Sequence, residues 1–191
     1  AVYLAGMGGS AIGADLVSAY LCASCPVPLV VGRGYDLPGW ARGPKVLVIL
    51  SSHSGNTEET LAVLDKARSN ECRTLAITTG GKLEQAVEQT GGDVWMFSHG
   101  HAPRSAIGYS YGLIHSALHR LGLAEDPSSA LSDTLHAMRN AQTNLTQPVP
   151  VVLNPAKRLA GQLYGRSVVI FGADILSPVA RRWKGQINEL A

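Results

Sequence analysis

The chain has 191 residues, of which 46% are hydrophobic and 16% charged, and its formal net charge at pH 7 is +2. This composition is typical of a globular protein. The small charge, without a basic run interleaved with aromatic residues, argues against a nucleic-acid-binding protein. No apolar run approaches the ~20 residues of a membrane span, which argues against a membrane protein. Three cysteines cannot form a disulfide framework, and this favours a reducing, cytoplasmic setting.

Short apolar segments alternate with segments of helical periodicity, and no hairpin turns separate them. The predicted strands are 2–5, 27–31, 46–50, 74–78, 93–97 and 167–173. The predicted helices are 11–21, one containing 61–67, then 83–88, 107–123, 127–145, 156–164 and 178–190. This alternation predicts βαβ units, hence an α/β fold with a parallel sheet flanked by helices. Pro28 predicts that the second strand lies at an edge.

The predicted elements divide the chain into two domains. Residues 1–150 contain five of the predicted strands and form the first domain. Pro148 and Pro150 mark a linker, after which the apolar segment 167–173 ends on glycine as the first strand does. We expect residues 151–191 to be the start of a second, truncated domain of the same type, because one βα unit cannot complete a sheet.

A loop rich in hydroxyl groups connects the third predicted strand to the following helix. Ser52, Ser54 and Thr57 surround a single glycine there, and Asn56 is a predicted helix cap. Ligands of open α/β sheets bind at such strand-to-helix turns. Backbone N–H groups and the helix dipole favour an anion at this position. An ordinary Ser/Thr-rich turn is the alternative interpretation.

A second loop, with the sequence Gly-Met-Gly-Gly-Ser from Gly6 to Ser10, follows the first predicted strand. It partly fits a dinucleotide-binding fingerprint. The acidic residue expected after the second strand is absent, but Arg33 lies nearby, so an NADP site stays open. A sugar-phosphate site explains both loops, whereas an NADP site leaves the hydroxyl-rich loop unexplained.

The remaining polar candidates carry weaker signals. His115 and His119 are four residues apart, but Ser116 stands where a zinc motif needs glutamate, which favours a helix surface. His99 and His101 lie in a loop after the last strand of the first domain, where solvent exposure is the simpler interpretation.

Four motifs in this order resemble the bifunctional phosphoglucose/phosphomannose isomerases of the sugar isomerase (SIS) domain superfamily. They are Gly-Met-Gly-Gly-Ser, then Ser-x-Ser-Gly-Asn-Thr, then Ala-Pro-Arg ending at Arg104, and Arg-Trp-Lys-x-Gln-Ile-Asn-Glu ending at Glu189. The hydroxyl-rich loop is typical of the superfamily, and the last motif is typical of the family. By periodicity alone, Glu189 is a solvated carboxylate.

The resemblance implies an SIS-type, flavodoxin-like αβα sandwich and a cytoplasmic homodimer that uses no cofactor or metal. It implies interconversion of glucose 6-phosphate, and mannose 6-phosphate, with fructose 6-phosphate through a cis-enediol, as in glycolysis and gluconeogenesis. The residues it implies for substrate binding are Gly8, Gly9, Ser10, Ser52, Ser54, Thr57 and Arg104. It assigns catalysis to Glu189 as the base and to Arg104, which would steady charge near C1 and C2.

The sequence departs from the family pattern at several places. His53 stands where a tyrosine is common, and Leu190 where an asparagine is common. The family's ring-opening histidine and a later lysine would lie after Ala191. A sugar-phosphate-binding regulatory domain without catalysis is therefore the alternative function.

Overall fold

The computed structural model describes residues 1–190, and these fall into two compact units. The first contains Ala1–Glu125 together with the chain from Phe171 onward, and the second is Asp126–Ile170. No helix among the described residues is long and apolar enough to cross a membrane.

The first unit is built on a parallel sheet of five strands in the order β2-β1-β3-β4-β5. The strands are β1 Val2–Gly6, β2 Leu29–Gly32, β3 Leu47–Ser52, β4 Arg73–Thr78 and β5 Asp93–Met96. Its helices are α1 Gly8–Leu21, α2 Glu58–Ser69, α3 Lys82–Glu88, α4 Ile107–Arg120 and α7 Ser177–Leu190. The predicted parallel α/β fold is confirmed, and β2 lies at an edge as Pro28 predicts.

Apolar side chains cover both faces of the central strands, because helices pack on each side. Leu50 and Ala5 point toward the layer that includes α2 and α3. The neighbouring residues Leu4 and Ile49 point the opposite way, toward α1 and α4. This alternation of faces along adjacent residues is what period-two strands produce between two helical layers.

Helices α1 and α4 approach each other closely at Gly13. A Cβ added there would lie 2.2 Å from the Ser110 hydroxyl oxygen, so only glycine fits at this crossing. The contact holds the start of α4, and with it the turn that precedes α4, against α1.

The second unit contains α5 Ser128–Gln142 and α6 Pro155–Leu163. Asn154 is fully buried and caps α6, since its side-chain oxygen accepts hydrogen bonds from the backbone N–H groups of Ala156 and Lys157. Its side-chain amide also donates to the carbonyl of Thr146. These bonds satisfy helix-terminal groups that would otherwise lack partners.

The strand predicted at 167–173 is wrong. This segment is irregular, and Val169 and Phe171 are 72% and 90% exposed. A strand needs a neighbour to receive its backbone hydrogen bonds, and among the described residues only the five strands of the first unit pair with one another.

Candidate functional site

The two loops singled out in the sequence leave adjacent strands at the same level of the sheet. Gly6 at the end of β1 pairs with Ser51 near the end of β3. The chain turns in opposite directions after these strands, since it passes from β1 to β2 toward one edge of the sheet and from β3 to β4 toward the other. This is the topological switch point at which ligands bind in open α/β sheets. We call residues 6–10 the glycine loop and residues 52–57 the hydroxyl loop.

The hydroxyl loop is shaped by its own side chains. The Ser52 side-chain oxygen accepts a hydrogen bond from Gly55 N at 3.1 Å and lies 2.9 Å from the Thr57 hydroxyl oxygen. The Ser54 hydroxyl oxygen accepts from the backbone N–H of Asn56 at 3.2 Å. Ser52 is 2% exposed, whereas Ser54 is exposed and Thr57 is half-buried. Ser54 and Thr57 are therefore the more open hydroxyl groups.

The predicted cap at Asn56 is wrong. Helix α2 begins at Glu58, and Thr57 is its N-cap residue without a side-chain capping bond. The Asn56 side chain instead donates to Ser54 O and accepts from Lys82 N. Asn56 thus braces the hydroxyl loop against the start of α3, and the first N–H groups of α2 are left without a side-chain partner.

The glycine loop passes directly into α1. Gly8 and Gly9 form the first turn of this helix, which carries no side-chain cap, and Gly8 has a positive φ of 49°. A Cβ added at Gly9 would lie 3.4 Å from the carbonyl oxygen of Pro103. Ser10 follows in the same turn, and its N–H donates to Met7 O at 3.1 Å. The glycine loop thus lies against the 3₁₀ turn Pro103–Ser105, which we call the arginine turn.

Arg104 and Glu189, 85 residues apart in the chain, meet at this edge of the sheet. Arg104 Nε donates to Glu189 Oε2 at 2.8 Å. Both side chains are partly exposed, at 39% and 44%. A guanidinium group of Arg182 also donates to the Arg104 carbonyl. Glu189, which helical periodicity alone predicts to be a solvated carboxylate, is thus in contact with Arg104 of the Ala-Pro-Arg motif.

Glu189 also borders a cavity of about 220 Å³ at the start of α1. The residues that line it are Gly8, Gly9, Ile12, Arg33, Arg181, Arg182, Lys184, Gly185, Asn188 and Glu189. Four of these side chains are cationic at neutral pH, and the N-terminus of α1 adds a partial positive charge. The cavity therefore favours an anionic or polyhydroxylated ligand next to Glu189.

Asp15, which the sequence analysis did not single out, holds two of the arginines that line this cavity. Its carboxylate accepts from Arg181 at 2.9 Å and also pairs with Arg33, while its side chain is only 12% exposed. Because Arg33 is engaged by Asp15, it is not free in the way that the NADP hypothesis requires. No local sequence signal marks Asp15, since its partners lie 18 and 166 residues away.

The loop histidines form a second polar cluster that sequence patterns did not indicate. His53 Nε2 lies 3.0 Å from His99 Nδ1, and His99 is half-buried, while His101 is exposed as predicted. Burial, followed by the charge of His99, lowers the pKa of His53. The surface position predicted for His115 is wrong, because its side chain is buried between α4 and α1, at 3% exposure.

Comparison with known proteins gives the same answer as the motifs. The model of the bacterial phospho-glucose isomerase C-terminal SIS domain matches residues 153–191. A bifunctional phosphoglucose/phosphomannose isomerase from Caldicellulosiruptor bescii is 39% identical over 98% of this chain and 56% of that protein. Over nearly its whole length, this chain is similar to the bifunctional phosphoglucose/phosphomannose isomerases, and this similarity supports the family that the motifs indicate.

A second relative and a solved structure agree with this similarity. A bifunctional phosphoglucose/phosphomannose isomerase from Aquifex aeolicus is 31% identical over 98% of this chain and 55% of its own length. The chain thus spans about half the length of the curated relatives it matches. The C-terminal domain of glucosamine-fructose-6-phosphate aminotransferase from Francisella tularensis superposes with a TM-score of 0.70 at 14% identity, over 98% of this chain and 55% of that one. This likeness confirms the SIS-type fold.

Proposed function

We propose that the gene-encoded protein containing this chain interconverts glucose 6-phosphate, and mannose 6-phosphate, with fructose 6-phosphate. The observation that carries the proposal is the 2.8 Å contact between Arg104 and Glu189 beside the two anion-favouring loops. The relatives from Caldicellulosiruptor bescii and Aquifex aeolicus bear names that state these two isomerase activities.

The proposed phosphate site is the pair of loops at the switch point. Ser54 and Thr57 offer hydroxyl donors, and Ser52 holds the hydroxyl loop through its bonds to Gly55 and Thr57. Gly8, Gly9 and Ser10 contribute the first turn of α1, where backbone N–H groups and the helix dipole favour negative charge.

The proposed chemistry is proton transfer between C1 and C2 through a cis-enediol. A proton next to a carbonyl is weakly acidic, so removing it requires a positioned base together with a cation near the developing oxyanion. Glu189 supplies the carboxylate, and Arg104 supplies a guanidinium group that is already in contact with it. When Arg104 turns its donors toward the sugar oxygen, the carboxylate of Glu189 becomes free to accept the proton.

Two further proposals accompany the function. Residues 1–150 and 151–191 are proposed as the first SIS domain and the start of a second, which the match of the C-terminal SIS model to residues 153–191 supports. The family resemblance supports a cytoplasmic homodimer.

The test is an isomerase assay on the gene-encoded protein. Incubation with fructose 6-phosphate, followed by carbon NMR, should show glucose 6-phosphate accumulating without any added cofactor or metal. Tight binding of fructose 6-phosphate without any product would contradict isomerisation and favour the regulatory alternative.

A further inference from the structure

Three side chains connect the hydroxyl loop to the arginine turn through hydrogen bonds. His53 Nε2 lies 3.0 Å from His99 Nδ1, and His99 Nε2 lies 3.2 Å from the Ser105 hydroxyl oxygen. The Ser105 hydroxyl in turn donates to the carbonyl of Ala102 at 2.8 Å. We call His53, His99 and Ser105 the histidine chain.

The direction of these hydrogen bonds follows from the single proton of the Ser105 hydroxyl. Because that proton goes to Ala102 O, the serine oxygen accepts from His99 Nε2–H. Neutral His99 then carries no proton on Nδ1, which accepts from His53 Nε2–H. Both imidazoles are thus neutral Nε2–H tautomers, and every donor points from the hydroxyl loop toward the arginine turn.

Aromatic neighbours hold the two imidazole rings in this geometry. The rings of His53 and His99 are nearly perpendicular, at 89°, with centroids 5.2 Å apart. Phe97 and His53 form a T-shaped pair with centroids 5.9 Å apart, and Tyr109 stacks on Phe97 with centroids 4.9 Å apart. Tyr109 also contacts the ring of His99 at 5.6 Å. The pair is therefore packed as well as hydrogen-bonded.

Each end of the histidine chain is joined to a proposed substrate-binding residue. His53 lies between Ser52 and Ser54, and its carbonyl accepts from both the N–H and the hydroxyl of Thr79. Ser105 directly follows Arg104 in the arginine turn. Displacement of His99 would therefore act on both the phosphate-binding hydroxyls and the arginine.

We infer that His99 is a positioning residue that keeps the hydroxyl loop and the arginine turn at the separation the sugar phosphate requires. This inference rests on the proposed function for its substrate. His99 itself need not touch the sugar, since both of its ring nitrogens are occupied by the histidine chain.

Two substitutions at His99 separate its two bonds. His99→Asn places an amide oxygen near the position of Nδ1, so it retains the bond to His53 and loses the bond to Ser105. His99→Gln reaches the position of Nε2, so it retains the bond to Ser105 and loses the bond to His53. His101→Asn is the matched control, because His101 is exposed and meets His99 through a T-shaped ring contact rather than a hydrogen bond.

The steady-state kinetics of the gene-encoded protein with fructose 6-phosphate then test the inference. His99→Gln should raise KM, and His99→Asn should lower kcat, each by roughly 10-fold or more, since misplacement by 1 Å costs up to about 100-fold. His101→Asn should match the wild type. If both His99 variants instead show the same rise in KM and the same fall in kcat, in proportion to their loss of thermal stability, the role of His99 is purely structural and the inference is overturned.

A spectroscopic measurement tests the histidine chain independently of any activity. Nitrogen NMR of the imidazoles at neutral pH should show Nε2–H tautomers for His53 and His99. An Nδ1–H tautomer at His99 would overturn the inference even if the enzyme is active. The expected tautomers would support the histidine chain even if the isomerase assay failed.

Discussion

Replacing Gly55 by alanine should damage the hydroxyl loop beyond the usual cost of a positive φ. Gly55 has a φ of 64°, in a region that costs an L-residue about 1–2 kcal/mol. A Cβ there would lie 1.7 Å from Gly80 O, although real Cβ contacts essentially never come under 3.0 Å. One backbone segment must therefore move by about 1.3 Å, the difference between these distances.

Neither segment can move without losing hydrogen bonds. Gly55 N donates to the Ser52 side chain, and Gly55 O accepts from Leu83 N at 2.9 Å. Gly80 O accepts from the Thr78 hydroxyl at 2.8 Å. Hydrogen bonds to a charged ligand contribute roughly 1.5–3 kcal/mol each, so a shifted loop that loses one of them should bind sugar phosphate about 10-fold to 100-fold more weakly.

The matched control is Gly43→Ala. Gly43 has a similar φ of 77°, but a Cβ there would meet nothing within 4 Å. Urea unfolding and calorimetry with fructose 6-phosphate should show a small loss of stability and unchanged affinity for Gly43→Ala. If Gly55→Ala loses no more stability than this control and binds with wild-type affinity, the argument from loop geometry is refuted.

Two further predictions concern binding and pH. Ser54→Ala and Thr57→Ala should each weaken fructose 6-phosphate binding about tenfold in calorimetry, because each removes a hydroxyl donor to the phosphate; unchanged affinity in both would move the site elsewhere. Burial, followed by the charge of His119, lowers the pKa of His115, so unfolded His115 takes up its proton first and stability falls as pH drops below about 6.5. In urea unfolding, His115→Phe should flatten the fall in stability between pH 7 and 5, whereas the control His136→Phe, at an exposed position of α5, should not. Parallel curves of stability against pH for the wild type and His115→Phe would contradict the assignment.

Much of the fold was predictable because its signals are local. The segments of β1, β3 and β4 are apolar enough for strands buried on both faces, and the ends of these strands in the structure differ from the predicted ends by only one or two residues. The segment 167–173 has the same apolar pattern but forms no strand, because pairing depends on a neighbour that periodicity cannot supply. His115 was misjudged for a related reason, since its burial comes from packing against α1.

The candidate site was predictable only in part. Motif order singled out Arg104 and Glu189, and the structure brings them into contact. The bond between His53 and His99 spans 46 residues, and the bond between Arg181 and Asp15 spans 166. Such pairs depend on where parallel strands and later helices place their loops, which no local pattern records.

The central claim is that Glu189 moves the proton between C1 and C2, and proton NMR of fructose 6-phosphate in D₂O tests it most directly. General-base catalysis contributes about 10²–10⁴-fold, so Glu189→Gln in the gene-encoded protein should slow exchange of the C1 proton by that much with affinity nearly retained. Glu58→Gln, beside the hydroxyl loop in the first turn of α2, should exchange like the wild type. Wild-type exchange in the Glu189→Gln variant would contradict the account.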